Sequence, residues 1–206
     1  MSRLKCMRRS SLADFILWAF VAGLFSLTGC INLEPQPDPI SLYLLGGDVE
    51  SATETIVTNE RRLYIQRPNL PEYLRDLRLN FIADSGQVLT VPNARWSEPL
   101  EIGIARTLAQ SVLAKNTAYD IAMYPWPKVE GTDQLMINVY HLDAKADGSF
   151  DVSIEWELEI FEKERRKGEY RSKQYKWDGL SAGSYVATMN TVLESLIDDV
   201  YAQSDF

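Results

Sequence analysis

The chain has 206 residues, 46% of them hydrophobic, with 21 basic against 29 acidic side chains and a net charge of −8. That length suits one domain with a sizeable core. The acidic balance disfavours nucleic acid, whose phosphate backbone calls for net positive surface, and offers anionic lipid no general attraction.

Charge is unevenly placed from the start. Arg3, Lys5, Arg8 and Arg9 precede an apolar run from Phe15 to Leu27, broken only by Gly23 and Ser26, with Asp14 at its edge. A run this short falls below the roughly 18 apolar residues a membrane span needs, and its basic head gives it the layout of a secretory signal. Leu27-Thr28-Gly29-Cys30 resembles a bacterial lipobox, in which signal peptidase cuts before a cysteine already joined to diacylglycerol. On that resemblance residues 1–29 are a lipoprotein signal peptide and Cys30 is the first mature residue and the lipidation site. Removing residues 1–29 takes away four basic side chains and Asp14, leaving 17 basic and 28 acidic groups, a net charge of −11. Cys6 leaves with the signal, so no thiol remains for a disulfide or a metal. Two or more acyl chains, at about 0.8 kcal/mol per buried methylene, hold a protein stably on its bilayer. Asp after the cysteine retains lipoproteins at the inner membrane under enterobacterial sorting. Here the sorting position is Ile31, which points to an outer-membrane protein facing the periplasm.

Residues 30–41 carry Pro35, Pro37 and Pro39 at alternate positions. An extended Pro-rich tether rises about 3.1 Å per residue, so it reaches roughly 30 Å from the lipid. Residues 42–206 are then expected to form a single domain. Leu42-Tyr43-Leu44-Leu45 reads as a short strand ended by Gly46-Gly47, and residues 48–60 as a polar loop. Leu63 and Ile65 alternate in a strand stopped by Pro68. Leu79–Ile82 and Gln87–Leu89 flank Asp84-Ser85-Gly86, a hairpin signal. Ser97 is placed to cap a helix with Glu98, Pro99 and Glu101 in its first turn. Leu100, Ile104, Leu108 and Val112 then recur along one face to about Ala114.

Tyr119–Tyr124 reads as a strand closed by Pro125-Trp126-Pro127. A meander follows over 134–143, 149–161 and 170–177, with turns expected at Asp147-Gly148 and around Gly168. Val152, Ile154, Trp156, Leu158 and Ile160 alternate with Asp151, Ser153, Glu155, Glu157 and Glu159, the period-two signature of a half-buried strand. After Gly179 a closing helix carries Val186, Met189, Leu193, Leu196 and Val200 at three-and-four spacing. The order predicts a two-layer α+β sandwich: a mixed, mostly antiparallel sheet with two main helices on one face.

Chemistry-bearing motifs are few. There is no G-x-S-x-G elbow, no S-x-x-K and no phosphate loop. The single histidine, His141, is expected on the strand face shared by Leu135, Ile137 and Val139, and it has no second histidine for a zinc site. Glu155, Glu157 and Glu159 form a solvated ladder about 6–7 Å apart, with Arg171 and Lys173 as expected cross-strand partners. Lys163, Arg165, Arg166 and Lys167 are expected at a hairpin tip, where head groups or an acidic partner could meet them. No cofactor, metal site or catalytic set is predicted.

Leu70-Pro71-Glu72-Tyr73-Leu74 follows the strand at 63–67, and Arg95-Trp96-Ser97-Glu98-Pro99-Leu100 opens the first helix. With the lipobox, Tyr43-Leu44-Leu45, the meander and the closing helix, this ordered set resembles the PqiC-like (paraquat-inducible) ABC-type transport auxiliary lipoproteins. The resemblance implies a non-enzymatic outer-membrane subunit of an MCE-type (mammalian cell entry) intermembrane lipid transporter. Such a subunit docks the transporter at the outer membrane, supports membrane integrity and assembles as a homo-oligomer against an MCE-domain protein. Leu70, Pro71, Tyr73, Leu74 and Trp96 are candidates for that interface, although each also suits a role in the core. Two other classes stay open: a lipoprotein enzyme acting on envelope polymers, and an unrelated envelope-stress or secretion lipoprotein.

Overall fold

Alternation dictates the centre of the fold. The computed structural model describes residues 39–47, 61–115 and 119–204; the signal segment, Cys30, Ile31, most of the tether and the loop expected at 48–60 lie outside these residues. Strand β7 (Ser149–Glu159) turns Phe150, Val152, Ile154, Trp156 and Leu158 inward and its polar residues outward. It lies between β6 (Asp133–Ala144) and β8 (Arg165–Lys176), both antiparallel to it. Parallel strands β2 (Arg61–Ile65) and β5 (Tyr119–Met123) complete a five-stranded sheet of order β5-β2-β6-β7-β8. A second sheet of order β1-β4-β3 holds β1 (Ser41–Tyr43), β4 (Val88–Trp96) and β3 (Arg78–Ile82). Here β1 runs parallel to β4 and β3 antiparallel to it.

Two helices cover one face. Helix α1 (Leu100–Lys115) packs on β2 and β5, helix α2 (Ala182–Ser204) packs on β7 and β8, and the helices touch each other. The expected α+β sandwich is therefore the observed fold, its strands divided between two sheets. Leu100, Ile104, Leu108 and Val112 of α1 are buried, as are Met189, Leu193, Leu196 and Val200 of α2. Tyr185 centres an aromatic cluster, with ring centroids 6.1 Å from Trp96, 5.8 Å from Phe150 and 5.5 Å from Trp177. Its buried hydroxyl donates to the Asn80 carbonyl at 2.9 Å, the partner such a group needs once out of water. The Gly46 N–H donates to Asn190 Oδ1 at 3.0 Å, tying the chain after β1 to the last helix. Gly46 takes φ +65°, where an added Cβ would also strike Gln110.

Four local expectations change. Ser97 does not open the helix: its N–H donates to the Tyr43 carbonyl and prolongs the sheet, while the Pro99 carbonyl accepts from Ile102 and Gly103. The last meander turn lies at 160–164, where the Ile160 N–H bonds the Glu164 carbonyl. Gly168 is consequently inside β8, opposite Trp156. An added Cβ there would lie 2.3 Å from Trp156 Cζ2, so the glycine serves ring packing. Arg165, Arg166 and Lys167 likewise belong to β8, leaving Lys163 alone in the turn.

The fourth change is at His141. The β6–β7 register shifts between Val139 and His141. One extra residue in a strand swaps the faces beyond it. Val139 faces the core, whereas Tyr140 is 53% exposed and the His141 side chain 62%. Leu142 then returns to the core.

Candidate functional site

The segment 70–74 acts as a bracket between the sheets. The Asn69 N–H donates to Ile137 and its carbonyl accepts from Val139, which seats the chain beside β6. Pro71 then starts one 3-10 turn, Glu72–Leu74. Leu70 and Leu74 are buried, while Pro71 and Tyr73 are half-buried. The Tyr73 carbonyl accepts from Asn80 Nδ2 at 2.7 Å, and the Leu70 carbonyl from Arg75 Nε at 3.0 Å. Trp96 is buried against Tyr185. Of the five interface candidates, Leu70, Leu74 and Trp96 thus hold the core together, and Pro71 and Tyr73 retain exposed surface.

Tyr73 has a specific polar task. Its hydroxyl donates to Asp143 Oδ1. Burial, reinforced by that carboxylate, drives the phenol far above its ordinary titration range. The other oxygen of Asp143, itself nearly buried, lies 3.2 Å from His141 Nδ1. A carboxylate held on both oxygens fixes the ring it faces, leaving Nε2 toward solvent. Ser153 stands opposite His141 across the strands. Its hydroxyl turns to Glu169 at 3.5 Å, so no nucleophile–base pair is formed. Nothing in the sequence marked Asp143, because its burial follows from the bulge at Tyr140.

His141, Asp143, Ser153 and Glu169 line a concavity of ≈ 1180 Å³ on the outer face of β6, β7 and β8. Its charges are internally matched. Tyr140 donates to Glu155 at 2.8 Å, Lys145 pairs with Asp151, and Arg171 pairs with Glu169. Glu157 pairs with Arg165 at 2.8 Å and Lys167 at 2.6 Å, and Glu159 lies 3.5 Å from Arg165. The glutamate ladder therefore exists, with Arg165 and Lys167 as cations because the turn falls earlier. Arg171 lies opposite Ser153 and pairs with Glu169, and the side chain of Lys173, the other expected partner, lies outside the described residues. Exposed pairs of this kind contribute about 0–1 kcal/mol each. Among the described residues no group of three His, Cys, Asp or Glu side chains could hold a metal ion. Nor, among them, is any helix long and apolar enough to cross a membrane.

Exposed apolar side chains gather elsewhere. On β1 and just after it, Tyr43 and Leu45 turn inward, while Leu42 and Leu44 are 68% and 42% exposed. Leu42 pairs with Arg95 of β4, and Arg95 with Arg78 of β3. Arg78 is held by Asp76. Arg95 makes no ion pair with any described residue.

The outer groove of this two-sheet α+β sandwich thus presents paired charges and a Ser153 and His141 that face each other across the strands without a hydrogen bond among the described residues. Residues 43–201 match the family described as the ABC-type transport auxiliary lipoprotein component, and the chain belongs to that family. Its place is accordingly the cell envelope, in association with a transporter. No curated protein matches the chain. Among solved structures it is similar to an uncharacterized protein, at 18% identity and TM-score 0.63, over 78% of this chain and 95% of that one. It is also similar to protein XCC0632 from Xanthomonas campestris, at 13% identity and TM-score 0.51, over 78% and 91%. At such identities these likenesses concern the fold alone.

Proposed function

We propose that this protein is a non-enzymatic outer-membrane lipoprotein that docks an MCE-type intermembrane lipid transporter and so supports membrane integrity. The family match across residues 43–201 carries the reading. The internally paired groove and the unassembled Ser153–His141 pair agree with a domain that binds instead of turning over a substrate. Cys30 holds the acyl chains, and Ile31 directs sorting to the outer membrane. Several copies are expected to meet the MCE partner close to that membrane, within reach of the tether.

Metabolic labelling with a palmitate analogue should mark the wild type and leave Cys30→Ala unmarked; equal labelling would remove the lipidation assignment. Ile31→Asp should shift the protein toward the inner-membrane fraction of a density gradient, and an unchanged profile would refute the sorting rule. The decisive test is co-purification with any MCE-domain protein encoded beside it. A chain that stays monomeric and binds no such protein would overturn the transport reading.

A further inference from the structure

The outer face of the three-stranded sheet combines exposed leucine with arginine. Leu42 projects from the edge strand β1, directly opposite Arg95, and exposed Leu44 follows just after the strand. The domain is strongly acidic, yet this arginine meets no carboxylate among the described residues. An unpaired guanidinium is a strong donor for phosphate oxygens. Leucines beside such a cation form the pattern of a surface that rests at a bilayer interface.

The position of the chain entry selects the occupant. β1 is the first element after the tether, and only 11 residues lie between Cys30 and Leu42. Fully extended, that length of chain spans at most about 40 Å, and as a Pro-rich tether roughly 30 Å. A lipid anchor at Cys30 therefore keeps this face at high effective concentration near head groups, where even weak contacts are populated. The edge strand also limits the depth. Its outer backbone groups need water, which the hydrocarbon core lacks, so β1 can lie among head groups and go no deeper.

We infer that the Leu42–Leu44–Arg95 face is the surface by which the domain lies on the bilayer that anchors it. Arg95 engages lipid phosphate, and the two leucines reach the acyl boundary. The arrangement sets orientation: the three-stranded sheet faces the lipid, leaving the outer groove of β6–β8 to the periplasm and its partners. The inference rests on the lipoprotein reading above.

Nitroxide-lipid quenching tests it in the full-length acylated protein, in vesicles of phosphatidylethanolamine with a minority of phosphatidylglycerol. With Cys6 removed and Cys30 acylated, Leu42→Cys supplies a single free thiol for an environment-sensitive dye. Trp126→Cys is the control, since Trp126 is 67% exposed but lies beyond β5 of the other sheet. Quenching several-fold stronger at position 42 than at 126, and reduced by Arg95→Glu, is the expected result. Equal quenching at both sites, stronger quenching at 126, or no effect of Arg95→Glu would overturn the inference while leaving the anchor intact. Failure of the wild type to float with vesicles would instead sink the lipid-anchor reading and this inference with it.

Discussion

Gly168→Ala separates a packing glycine from a turn glycine by experiment. In a turn the change is nearly neutral, or slightly stabilising because alanine narrows the unfolded ensemble by about 0.4–1 kcal/mol. Within β8 the new methyl would lie 2.3 and 2.5 Å from two carbons of Trp156 and 2.8 Å from Gln203 Oε1. Carbon pairs rest at about 3.5–4.0 Å, so the ring must move by more than an ångström. Trp156 is fully buried, and its Nε1 donates to Asp199 Oδ2 at 3.1 Å. Overpacking costs about 1–3 kcal/mol and a strained hydrogen bond about 1 more. Less the entropy gain, the net is about 2 kcal/mol, a large part of a typical 5–15 kcal/mol stability. Urea unfolding would read it as a lower midpoint at unchanged slope. Repeating the change in a Trp156→Leu background, where the ring is gone, should cost under about 0.5 kcal/mol, a coupling that marks direct contact. Equal costs in both backgrounds, or no cost in either, would refute the packing argument.

Tyr73→Phe should destabilise the domain by about 1–2 kcal/mol in urea, since it leaves nearly buried Asp143 without its hydroxyl donor. A silent substitution would show that Asp143 is satisfied elsewhere. Burial raises Tyr119 from an ordinary 10.0 to about 12. The unfolded chain then loses that proton first. Stability should hold below pH 10 and fall between pH 10 and 12, in step with tyrosinate absorbance. Tyrosinate appearing fully before any loss of structure would contradict the assignment.

Periodicity revealed the elements that bury one clean face. The inward row of β7 and the four-residue spacing of α1 were legible because each hydrophobic position follows one period without interruption. The misplaced features turn on a local register shift or on a partner distant in the chain. The extra residue near Tyr140 exposed His141 and buried Asp143, and no residue type there announces a bulge. Gly168 resembled turn chemistry until Trp156, on the neighbouring strand, explained its missing side chain. Ser97 had the chemistry of a helix cap, but pairing with Tyr43, more than fifty residues earlier, claimed its backbone first. At the candidate site the Leu70–Leu74 motif was visible as a motif. Its division into buried braces and a half-exposed Tyr73 depends on Asp143, Asn80 and Tyr185, which only tertiary structure brings together.

The bond from Gly46 to Asn190 spans 144 positions of the chain. It bears on the timing of folding as well as on stability. Contacts of such sequence separation form slowly, because a long loop must close before they contribute. Strand β1 appears first during synthesis and helix α2 last, yet each needs the other to complete the core. The core is therefore complete only once helix α2 has joined β1. For a protein of the cell envelope, a core that closes late keeps the chain unfolded for longer on its way to the membrane.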